Sequence, residues 1–429
     1  MWYTGCNDSA VDPPPERRHL PHREKTIRNI SIHHAVASLL ADTPSPACEE
    51  IPLSEANGRV LSAGLTAKAD LPPFHRSAYD GFAFRSDETA GASDKSPSVF
   101  RITGTVAAGD VYPNTLEEGC CVRIMTGAPL PEGADCVLNF ERVRQVRNEV
   151  YLTQSLCHGQ NVDWKGSETS AGTPLLPTGE YLTPAHLGVL ASQGYDKIPV
   201  YQKPRVSVLS TGSELLSPGQ SLTPGKIYDS NLTVFRALLE QEGCRVTQYR
   251  HVSDEEGTIR STLQALAQDL DLIITTGGAS VGDKDYISRV LEQADATILF
   301  SHIRMKPGSC CYGAKLGSCI VISLSGNPGA ALTSWFLIAL PVVRKLAGRQ
   351  NFHLQEMVLP LADTVYKTCP YPRILKGHLE TEGGMTRFVA HEGQKNSMQT
   401  SFLHMDALAQ LPPTDAPLPA GTQVSVFLP

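Results

Sequence analysis

The sequence lacks the cysteine patterns that build disulfide-tied or zinc-bound folds. It has eleven cysteines, an odd number, with no CxxC pair and no Cys/His spacing typical of a zinc site. Four of them form adjacent pairs, Cys120-Cys121 and Cys310-Cys311. We therefore expect reduced thiols that act as small core hydrophobes.

A basic surplus and a long apolar run are also missing. The net charge is −7, which disfavours a nucleic-acid partner. The longest apolar stretch, Leu332 to Val343, contains polar residues and Pro341, and it is too short to span a bilayer. Residues 1–25 have no apolar run of the signal-peptide kind, and we expect a disordered tail there. These patterns predict a cytoplasmic protein without a membrane partner.

The 429 residues change in texture along the chain, which predicts several domains. Short strands separated by turns are typical of the first half, strands alternating with helices follow, and strands return at the end. The predicted parts are a tail (1–25), an elongated amino-terminal domain (26–69 and 165–203), a β-rich domain (70–164), an α/β domain (204–350) and a carboxyl-terminal β domain (351–429).

The α/β region shows the clearest local signals. A helix is predicted from Asp229 to Glu242, closed by Gly243, and a capping box at Ser253–Glu256 predicts the start of another. A third helix is predicted from Ala330 to Leu346. Alternation of such helices with apolar, β-branched strands predicts a doubly wound, mostly parallel sheet.

Three predicted strands of this region end in small, flexible residues: Ser210–Gly212, Thr275–Gly278 and Ser325–Pro328. Ligands of open parallel sheets bind outside the carboxyl ends of the strands. Glycines let backbone N–H groups approach an anion, and a following helix amino terminus adds partial positive charge. The three loops together predict a phosphate-bearing ligand, although each alone would indicate only turn geometry.

Acidic side chains follow the same loops. Glu214 follows the first, Asp283 and Asp285 follow the second, and Asp254 begins a predicted helix. Carboxylates beside a phosphate site usually hold a divalent cation such as Mg²⁺. The alternatives are a helix-terminal acid without function for Asp254 and solvated loop charges for the others.

Two further segments are candidates on weaker grounds. Lys306, in Met305–Gly308, is either a partner for phosphate or an oxyanion, or simply an exposed lysine. The turn-rich run from Phe74 to Phe82 holds Asp80 beside a glycine, which alone indicates only a turn.

Eight ordered blocks resemble one family. Ser77–Ala83 (SAYDGFA) resembles the SAMDGYA signature of the molybdopterin molybdenumtransferase family, which includes the carboxyl-terminal domain of gephyrin. The other matching blocks, in the family's order, are Arg123–Pro129, Gly159–Asn161, Ser210–Leu215, Ile227–Asn231, Thr276–Asp283, Lys306–Gly308 and Gly326–Pro328. The resemblance covers roughly residues 27–348 and weakens beyond, where Arg373 matches.

The resemblance implies a fold, a reaction and partners. It implies an α/β domain of the molybdopterin-binding type and an elongated homodimer with a site shared between subunits. It implies that molybdate and adenylylated molybdopterin are the substrates, that molybdenum enters the dithiolene, and that AMP leaves, with Mg²⁺ as cofactor. Molybdopterin adenylyltransferase and molybdoenzymes or their chaperones are the implied cofactor partners.

The resemblance also assigns site residues by position. The implied catalytic residues are Asp80, Glu214, Asp254, Asp285 and Lys306, of which Glu214, Asp254 and Asp285 would hold the metal. The implied substrate-binding residues are Ser77, Thr126, Thr211, Gly212, Gly277, Gly278, Ser280, Gly282, Pro307, Gly308, Gly326, Asn327, Pro328 and Arg373.

Several positions depart from the family's pattern. The family often has an aspartate where Glu168 stands and lysines where His302 and Ser309 stand, and Ser325 replaces a proline. A hydroxyl-bearing pair is replaced by Gly329-Ala330. Loss of two cations weakens oxyanion binding, since a charged hydrogen bond contributes about 1.5–3 kcal/mol. Protonated His302 would restore one charge.

Two alternatives to the transferase remain. Molybdopterin adenylyltransferase shares the α/β domain, but its Gly-Gly-Thr-Gly pattern differs from Ala-Ser-Val-Gly-Asp after Gly278, and this chain has long flanking domains. A non-catalytic paralogue that binds or carries the cofactor is suggested by the lost charges. The acidic set needed for metal-assisted chemistry favours the enzyme.

Overall fold

The computed structural model describes residues 28–278 and 286–429. The helices are α1 (Ile32–Asp42), α2 (Pro184–Ser192), α3 (Ser230–Gln241), α4 (Glu256–Leu266), α5 (Tyr286–Gln293), α6 (Pro328–Ser334) and α7 (Leu340–Leu346). The strands are β1 (Arg28–Ile30), β2 (Cys48–Pro52), β3 (Leu65–Thr66), β4 (Arg76–Ser77), β5 (Gly81–Phe84), β6 (Ser98–Val106), β7 (Cys120–Ile124), β8 (Cys136–Asn139), β9 (Arg144–Val146), β10 (Glu149–Leu152), β11 (Val162–Asp163), β12 (Pro174–Leu176), β13 (Lys197–Tyr201), β14 (Arg205–Thr211), β15 (Leu215–Leu216), β16 (Ile227–Tyr228), β17 (Arg245–Val252), β18 (Leu272–Thr276), β19 (Thr297–Ile303), β20 (Tyr312–Leu316), β21 (Cys319–Leu324), β22 (Gln355–Pro360), β23 (Arg373–Glu382), β24 (Met385–Ala390), β25 (Ala407–Leu411) and β26 (Gln423–Leu428).

These elements form two compact units. Within the described residues, unit 1 comprises 28–44, 204–346 and 352–429, and unit 2 comprises 45–203 and 347–351. The finer five-part division made from the sequence stays a prediction.

Unit 1 is built on a seven-stranded sheet in the order β1-β19-β20-β21-β18-β14-β17. Only β20 runs against the others, because its two neighbours pair with it antiparallel while every other pairing is parallel. Strand residues alternate between two cores: Val208 and Ile274 face one, and Leu209 and Ile273 face the other. Helices α1, α3, α6 and α7 cover the first face, and α4 and α5 cover the second. The predicted doubly wound, mostly parallel sheet is confirmed.

Residues 28–44 join this sheet, whereas the sequence had suggested that they belong to the elongated amino-terminal domain. Strand β1 pairs in parallel with β19, with Ile30 opposite Ile303. Helix α1 then buries Ala35, Val36 and Leu39 in the first core. The apolar face of α1 therefore completes a core built by residues more than 160 positions later, which local pattern does not reveal.

A single helical run from 328 to 346 forms the centre of the first core. It consists of α6, a π-helical segment (Trp335–Ala339) and α7. The run is longer than the apolar stretch seen in the sequence because it begins at Pro328. By length and composition alone it could cross a membrane, but 83% of its apolar window is buried inside the fold. Such burial is typical of a helix in a protein core.

The predicted start of α4 was wrong. The helix begins at Glu256 with Glu255 before it, and no side chain of that residue caps the helix. Asp254, within the expected capping box, instead accepts a hydrogen bond from the backbone N–H of Ser213 at 2.8 Å. A tertiary contact has taken the place of the local cap. The predicted α3 is confirmed, with Asp229 as its cap at 3.1 Å from the N–H of Leu232.

The carboxyl-terminal part of unit 1 is a five-stranded antiparallel sheet in the order β22-β26-β25-β23-β24. Its inner face carries a separate apolar core that includes Leu375, Phe388 and Val426. The predicted small carboxyl-terminal β domain is therefore confirmed.

Unit 2 is mainly β. A six-stranded sheet, β8-β5-β7-β6-β10-β9, buries Phe82, Phe84 and Phe100. A second cluster is formed by β2, β13 and α2, where Ile51, Leu190 and Ile198 pack together. These short strands match the turn-rich texture of the sequence.

The cysteines behave as predicted. Seven of the ten described cysteines are buried: Cys120, Cys121, Cys136, Cys244, Cys311, Cys319 and Cys369. Burial raises the pKa of the Cys121 thiol to about 12. A thiol with so high a pKa is protonated at neutral pH and acts as a core hydrophobe.

The packing of α1 on the sheet can be tested at Gly313. A β-carbon there would lie 2.4 Å from Phe300 Cε1 and 3.0 Å from Leu39 Cδ2. We expect Gly313→Ala to lower the free energy of unfolding by about 1–3 kcal/mol through overpacking, measured by chemical denaturation. Gly257→Ala is the control, because a β-carbon on that α4 residue meets nothing within 4 Å. Equal stability of the two variants would contradict this packing.

Candidate functional site

Three loops of unit 1 meet at the carboxyl edge of the parallel sheet. Strands β14, β18 and β21 are neighbours and run in the same direction, so their carboxyl ends lie side by side. A β-carbon on Gly277 would lie 2.2 Å from the Thr211 carbonyl oxygen, and one on Gly326 would lie 3.3 Å from Gly277 Cα. The structure thus brings together the three glycine-containing loops found in the sequence.

Glycine is required at this edge for two reasons. Gly277 and Gly278 have φ of +89° and +66°, which side-chain-bearing residues rarely adopt. The close approaches also leave no room for a β-carbon. The next loop is fixed by side chains: Asn231 donates to the Gly326 carbonyl at 3.0 Å, and the Asn327 N–H donates to Ser325 Oγ at 3.2 Å. Pro328 then begins α6.

Three buried hydroxyls lie at this end of the strands without a partner among the described residues: Thr211, Thr275 and Ser323. Each comes two positions after a strand residue of the α4/α5 core, so all three point to the same face of the sheet. Thr211 is only 4% exposed. A buried hydroxyl without a partner costs free energy. Thr211 is the one that lies beside the Gly277-Gly278 turn, where its hydroxyl could donate to a polar ligand, whereas Thr275 and Ser323 are 1% and 0% exposed and lie within the sheet.

Two carboxylates flank the first loop. Gly212 has a φ of +148°, and a β-carbon there would lie 2.8 Å from Glu214 Oε2, so the carboxylate of Glu214 folds back over the glycine. Asp254 holds the same loop through the Ser213 N–H. Lys226 Nζ donates to the Ser213 carbonyl. Glu214 and Asp254 thus converge on residues 212–214.

The other predicted residues of the second loop lie beyond its described part. Ser280, Gly282, Asp283 and Asp285 lie outside the described residues. Across the described ranges, no group of three or more His, Cys, Asp or Glu side chains could hold a metal ion. Of the three carboxylates predicted to hold the metal, the described residues therefore include two, Glu214 and Asp254.

Lys306 and Arg373 lie together in unit 1. The loop after β19 is bonded to the start of β23, since the Lys306 N–H donates to the Pro372 carbonyl at 3.0 Å and the Ile374 N–H donates to the Lys306 carbonyl at 2.9 Å. Pro307 follows through a cis peptide bond. A β-carbon on Gly308 would lie 2.5 Å from Ser334 Oγ, so the loop also packs on α6.

Both cations line a cavity of about 90 Å³. Lys367 lines it too, a residue that no sequence pattern had singled out. His302 and Ser309 do not line it. The His302 ring packs edge-on against Tyr312, with 5.3 Å between centroids. His302 therefore does not stand in this cavity as a replacement charge.

Unit 2 carries the other predicted residues. Asp80 Oδ1 accepts from the Thr126 N–H at 2.7 Å and from the Thr126 hydroxyl at 2.8 Å. The backbone hydrogen bond contributes most to holding the pKa of the Asp80 carboxyl below its ordinary value, and the hydroxyl hydrogen bond contributes next. The positive charge of Arg123 lowers this pKa further. The Ser77 hydroxyl donates to the Tyr79 carbonyl at 2.5 Å. Asp80 is exposed and ionised, whereas Ser77 is buried, and its predicted role in substrate binding stays a prediction.

Known proteins match the chain over most of its length. Residues 30–194 match the family described as the MoeA N-terminal region (domain I and II), and residues 207–345 match a probable molybdopterin binding domain. A molybdopterin molybdenumtransferase of Staphylococcus epidermidis is 34% identical over 401 residues, which cover 93% of this chain and 95% of its own. The Staphylococcus aureus protein of the same name is 30% identical over 399 residues, with the same coverage.

Solved structures agree. A molybdopterin biosynthesis protein, moeA, of Pyrococcus horikoshii superposes with a TM-score of 0.79 and 26% identity, covering 94% of this chain and all of that one. The matches define a multidomain transferase with a molybdopterin-binding type of α/β domain. The chain belongs to the molybdopterin molybdenumtransferase family.

The Asp80–Thr126 contact can be tested by titration. Thr126→Val removes the hydroxyl donor but keeps the backbone N–H, so the pKa of Asp80 should rise part of the way to its ordinary value. Because the pKa of Asp80 is lowered in the folded protein, the ionised carboxylate stabilises the fold at pH values above the ordinary pKa of an aspartate. That stabilisation is lost as the pH falls through the lowered pKa of the folded state. Carboxyl chemical shifts followed by NMR against pH would measure this, with Thr126→Ser as the control. An unmoved pKa in Thr126→Val would contradict the role of the hydroxyl.

Proposed function

We propose that this protein inserts molybdenum from molybdate into adenylylated molybdopterin, with release of AMP. The observation that carries the proposal is the carboxyl edge of the unit 1 sheet. There the three glycine-containing loops meet, Glu214 and Asp254 lie at the first loop, and Lys306 is bonded to the segment that begins β23. Family membership supports the same reaction.

The strand-end loops suit the phosphate groups of such a substrate. The hydroxyl of Thr211, at the end of β14, is a buried donor without a partner among the described residues, and it lies beside the Gly277-Gly278 turn. The missing side chains at Gly277 and Gly326 let a phosphate approach the backbone closely. Each donor is set by strand pairing before the ligand arrives, so little ordering is needed on binding.

The carboxylates suit a divalent cation. Glu214 and Asp254 offer hard oxygen ligands beside the proposed phosphate site, which fits Mg²⁺. Bound there, Mg²⁺ would neutralise phosphate oxygens and polarise the bond that releases AMP. Asp254 already accepts from the Ser213 N–H, so it also fixes the loop that carries Glu214. Asp285 remains a predicted third ligand outside the described residues.

A carrier function is the second candidate. Two lysines of the family pattern are replaced by His302 and Ser309, and neither residue lines the basic cavity. A protein that binds the pterin but transfers no metal would fit a loss of charge at an oxyanion site. Retention of Glu214, Asp254 and Lys306 favours the transferase.

The proposal also covers the compartment, the oligomeric state and the partner proteins of the reaction. We propose a cytoplasmic homodimer that receives its substrate from molybdopterin adenylyltransferase and passes the product to molybdoenzymes or their chaperones. The resemblance to the family is the support for each of these points.

The test is transfer by the purified full-length protein with adenylylated molybdopterin, molybdate and Mg²⁺. We expect AMP release together with reconstitution of a cofactor-free molybdoenzyme. Glu214→Gln keeps the side-chain shape but removes its charge, and it should abolish transfer, a loss of at least about 100-fold, with unfolding unchanged.

The matched control is Glu292→Gln, an exposed residue of α5 away from these loops. Full activity in Glu214→Gln would remove the proposed role of that carboxylate. Pterin binding without AMP release by the unaltered protein would establish the carrier instead.

A further inference from the structure

The first turn of α3 is bonded to the third strand-end loop, Ser325–Pro328. Asn231 is 8% exposed, and its Nδ2 donates to the Gly326 carbonyl at 3.0 Å. Asp229, at the start of the helix, accepts from the Leu232 N–H at 3.1 Å, so the turn that carries Asn231 is itself capped. Asn231 therefore presents its amide to the loop from a fixed position.

The peptide that joins Gly326 to Asn327 is held at both ends. Its carbonyl accepts from Asn231, and its N–H donates to Ser325 Oγ at 3.2 Å. The carbonyl and the N–H of a planar trans peptide point to opposite sides, so these two bonds together fix its orientation. Without the amide of Asn231, the carbonyl would lose its partner, and the peptide could turn its oxygen towards a bound phosphate and repel it.

The third loop has little room to move against the second. A β-carbon on Gly326 would lie 3.3 Å from Gly277 Cα, so the two backbones are close together. Gly277 in turn lies against Thr211, since a β-carbon there would be 2.2 Å from the Thr211 carbonyl oxygen. The proposed phosphate site lies beside these glycines, so a shift of the third loop would change its shape. In enzymes, a misplacement of about 1 Å can lower the rate about 100-fold.

The carboxyl end of the same loop is held by a different part of unit 1. Where the loop runs into α6, the Ala330 N–H donates to the Asn396 carbonyl at 3.0 Å. The segment 396–399 is bonded to α3 as well, because Gln399 Nε2 donates to the Ser230 hydroxyl. The start of α6 therefore has its own support, and Asn231 supplies the side-chain bond that fixes the Gly326 carbonyl.

We propose that Asn231 is a positioning residue for the phosphate site: its amide holds the Gly326 carbonyl against α3 and so keeps the third loop in the form that accepts a phosphate group. The inference rests on the proposed function, because the phosphate belongs to the substrate of that reaction. In this role Asn231 acts through the backbone of Gly326 and makes no bond to the substrate.

The experiment is isothermal titration of the full-length protein with AMP, the phosphate-bearing product of the proposed reaction. We expect Asn231→Ala to weaken AMP binding about tenfold, because the third loop loses its fixed form. Asn231→Asp keeps the shape of the side chain but sets an acceptor against the Gly326 carbonyl in place of a donor. At neutral pH this variant should therefore bind AMP at least as weakly as Asn231→Ala.

The pH dependence of Asn231→Asp is a readout that a purely structural role would not change. Burial against a carbonyl oxygen favours the protonated form of the introduced carboxyl, which can donate to Gly326 as the amide does. The AMP affinity of this variant, divided by that of the unaltered protein, should therefore recover as the pH falls. The division removes the titration of AMP itself and of Asp229 and Lys395, which all variants share. A ratio that stays constant with pH would overturn the hydrogen-bonding role of Asn231.

Two control variants separate positioning from a general loss of stability. Gln241→Ala removes an exposed amide at the other end of α3 and should leave AMP binding unchanged. Gly313→Ala should destabilise the same sheet by overpacking β20 while AMP binding is retained. If Gly313→Ala weakens AMP binding as much as Asn231→Ala does, the effect comes from stability and the positioning role is wrong. Unchanged AMP affinity in Asn231→Ala would also overturn it.

Activity separates this inference from the proposed function. If transfer occurs, Asn231→Ala should raise the KM for adenylylated molybdopterin about tenfold. If transfer fails but AMP binds in an Asn231-dependent way, the reaction is wrong and the positioning role stands. If transfer occurs and Asn231→Ala leaves both AMP affinity and KM unchanged, the reaction stands and the role of Asn231 is wrong. A lack of AMP binding by the unaltered protein would overturn the inference whether or not transfer occurs.

Discussion

Parallel pairing of β14, β18 and β21 is the constraint on which the site in unit 1 depends. The register places Leu209, Thr275 and Ser323 at one level, so the three strands end together. Their loops must then share a narrow edge, and only glycine fits where backbones approach most closely. The same pairing directs Thr211, Thr275 and Ser323 to one face without partners among the described residues. The cost of these buried hydroxyls is offset by the two apolar cores on either side of the sheet.

Charge is separated across this edge. Glu214 and Asp254 gather at the first loop, while Lys306, Lys367 and Arg373 gather beyond the third. Within the described residues, neither group neutralises the other through an ion pair. If the substrate is the one we propose, with phosphate groups and a bound cation, these two groups of charges would orient it as well as bind it.

Local pattern was enough to predict the elements and the loops, because strand alternation, helix periodicity and glycine position are all read over short windows. Tertiary contacts decided where individual side chains of the site and helix α1 lie. Asp254 looked like part of a helix cap, but its carboxylate bonds to a loop some 40 residues earlier. Lys367 carries no signal in the sequence, and it lines the cavity from a segment whose ends are bridged to Leu418 and Thr414. The placement of α1 likewise depends on a strand far along the chain.

The π-helical segment Trp335–Ala339 limits how many residues can lie between the contacts of α6 and those of α7. One wide turn separates α6, whose first residues touch the backbone near Asn396, from α7, which packs beside α1. The wide turn takes up one residue more than an ordinary helical turn, whereas a residue removed from α6 or α7 has no such turn to absorb it and would rotate one half against the other by about 100°. Either the contact at Asn396 or the packing beside α1 would then fall out of phase. This helix should therefore accept changes of side chain far more readily than changes of length.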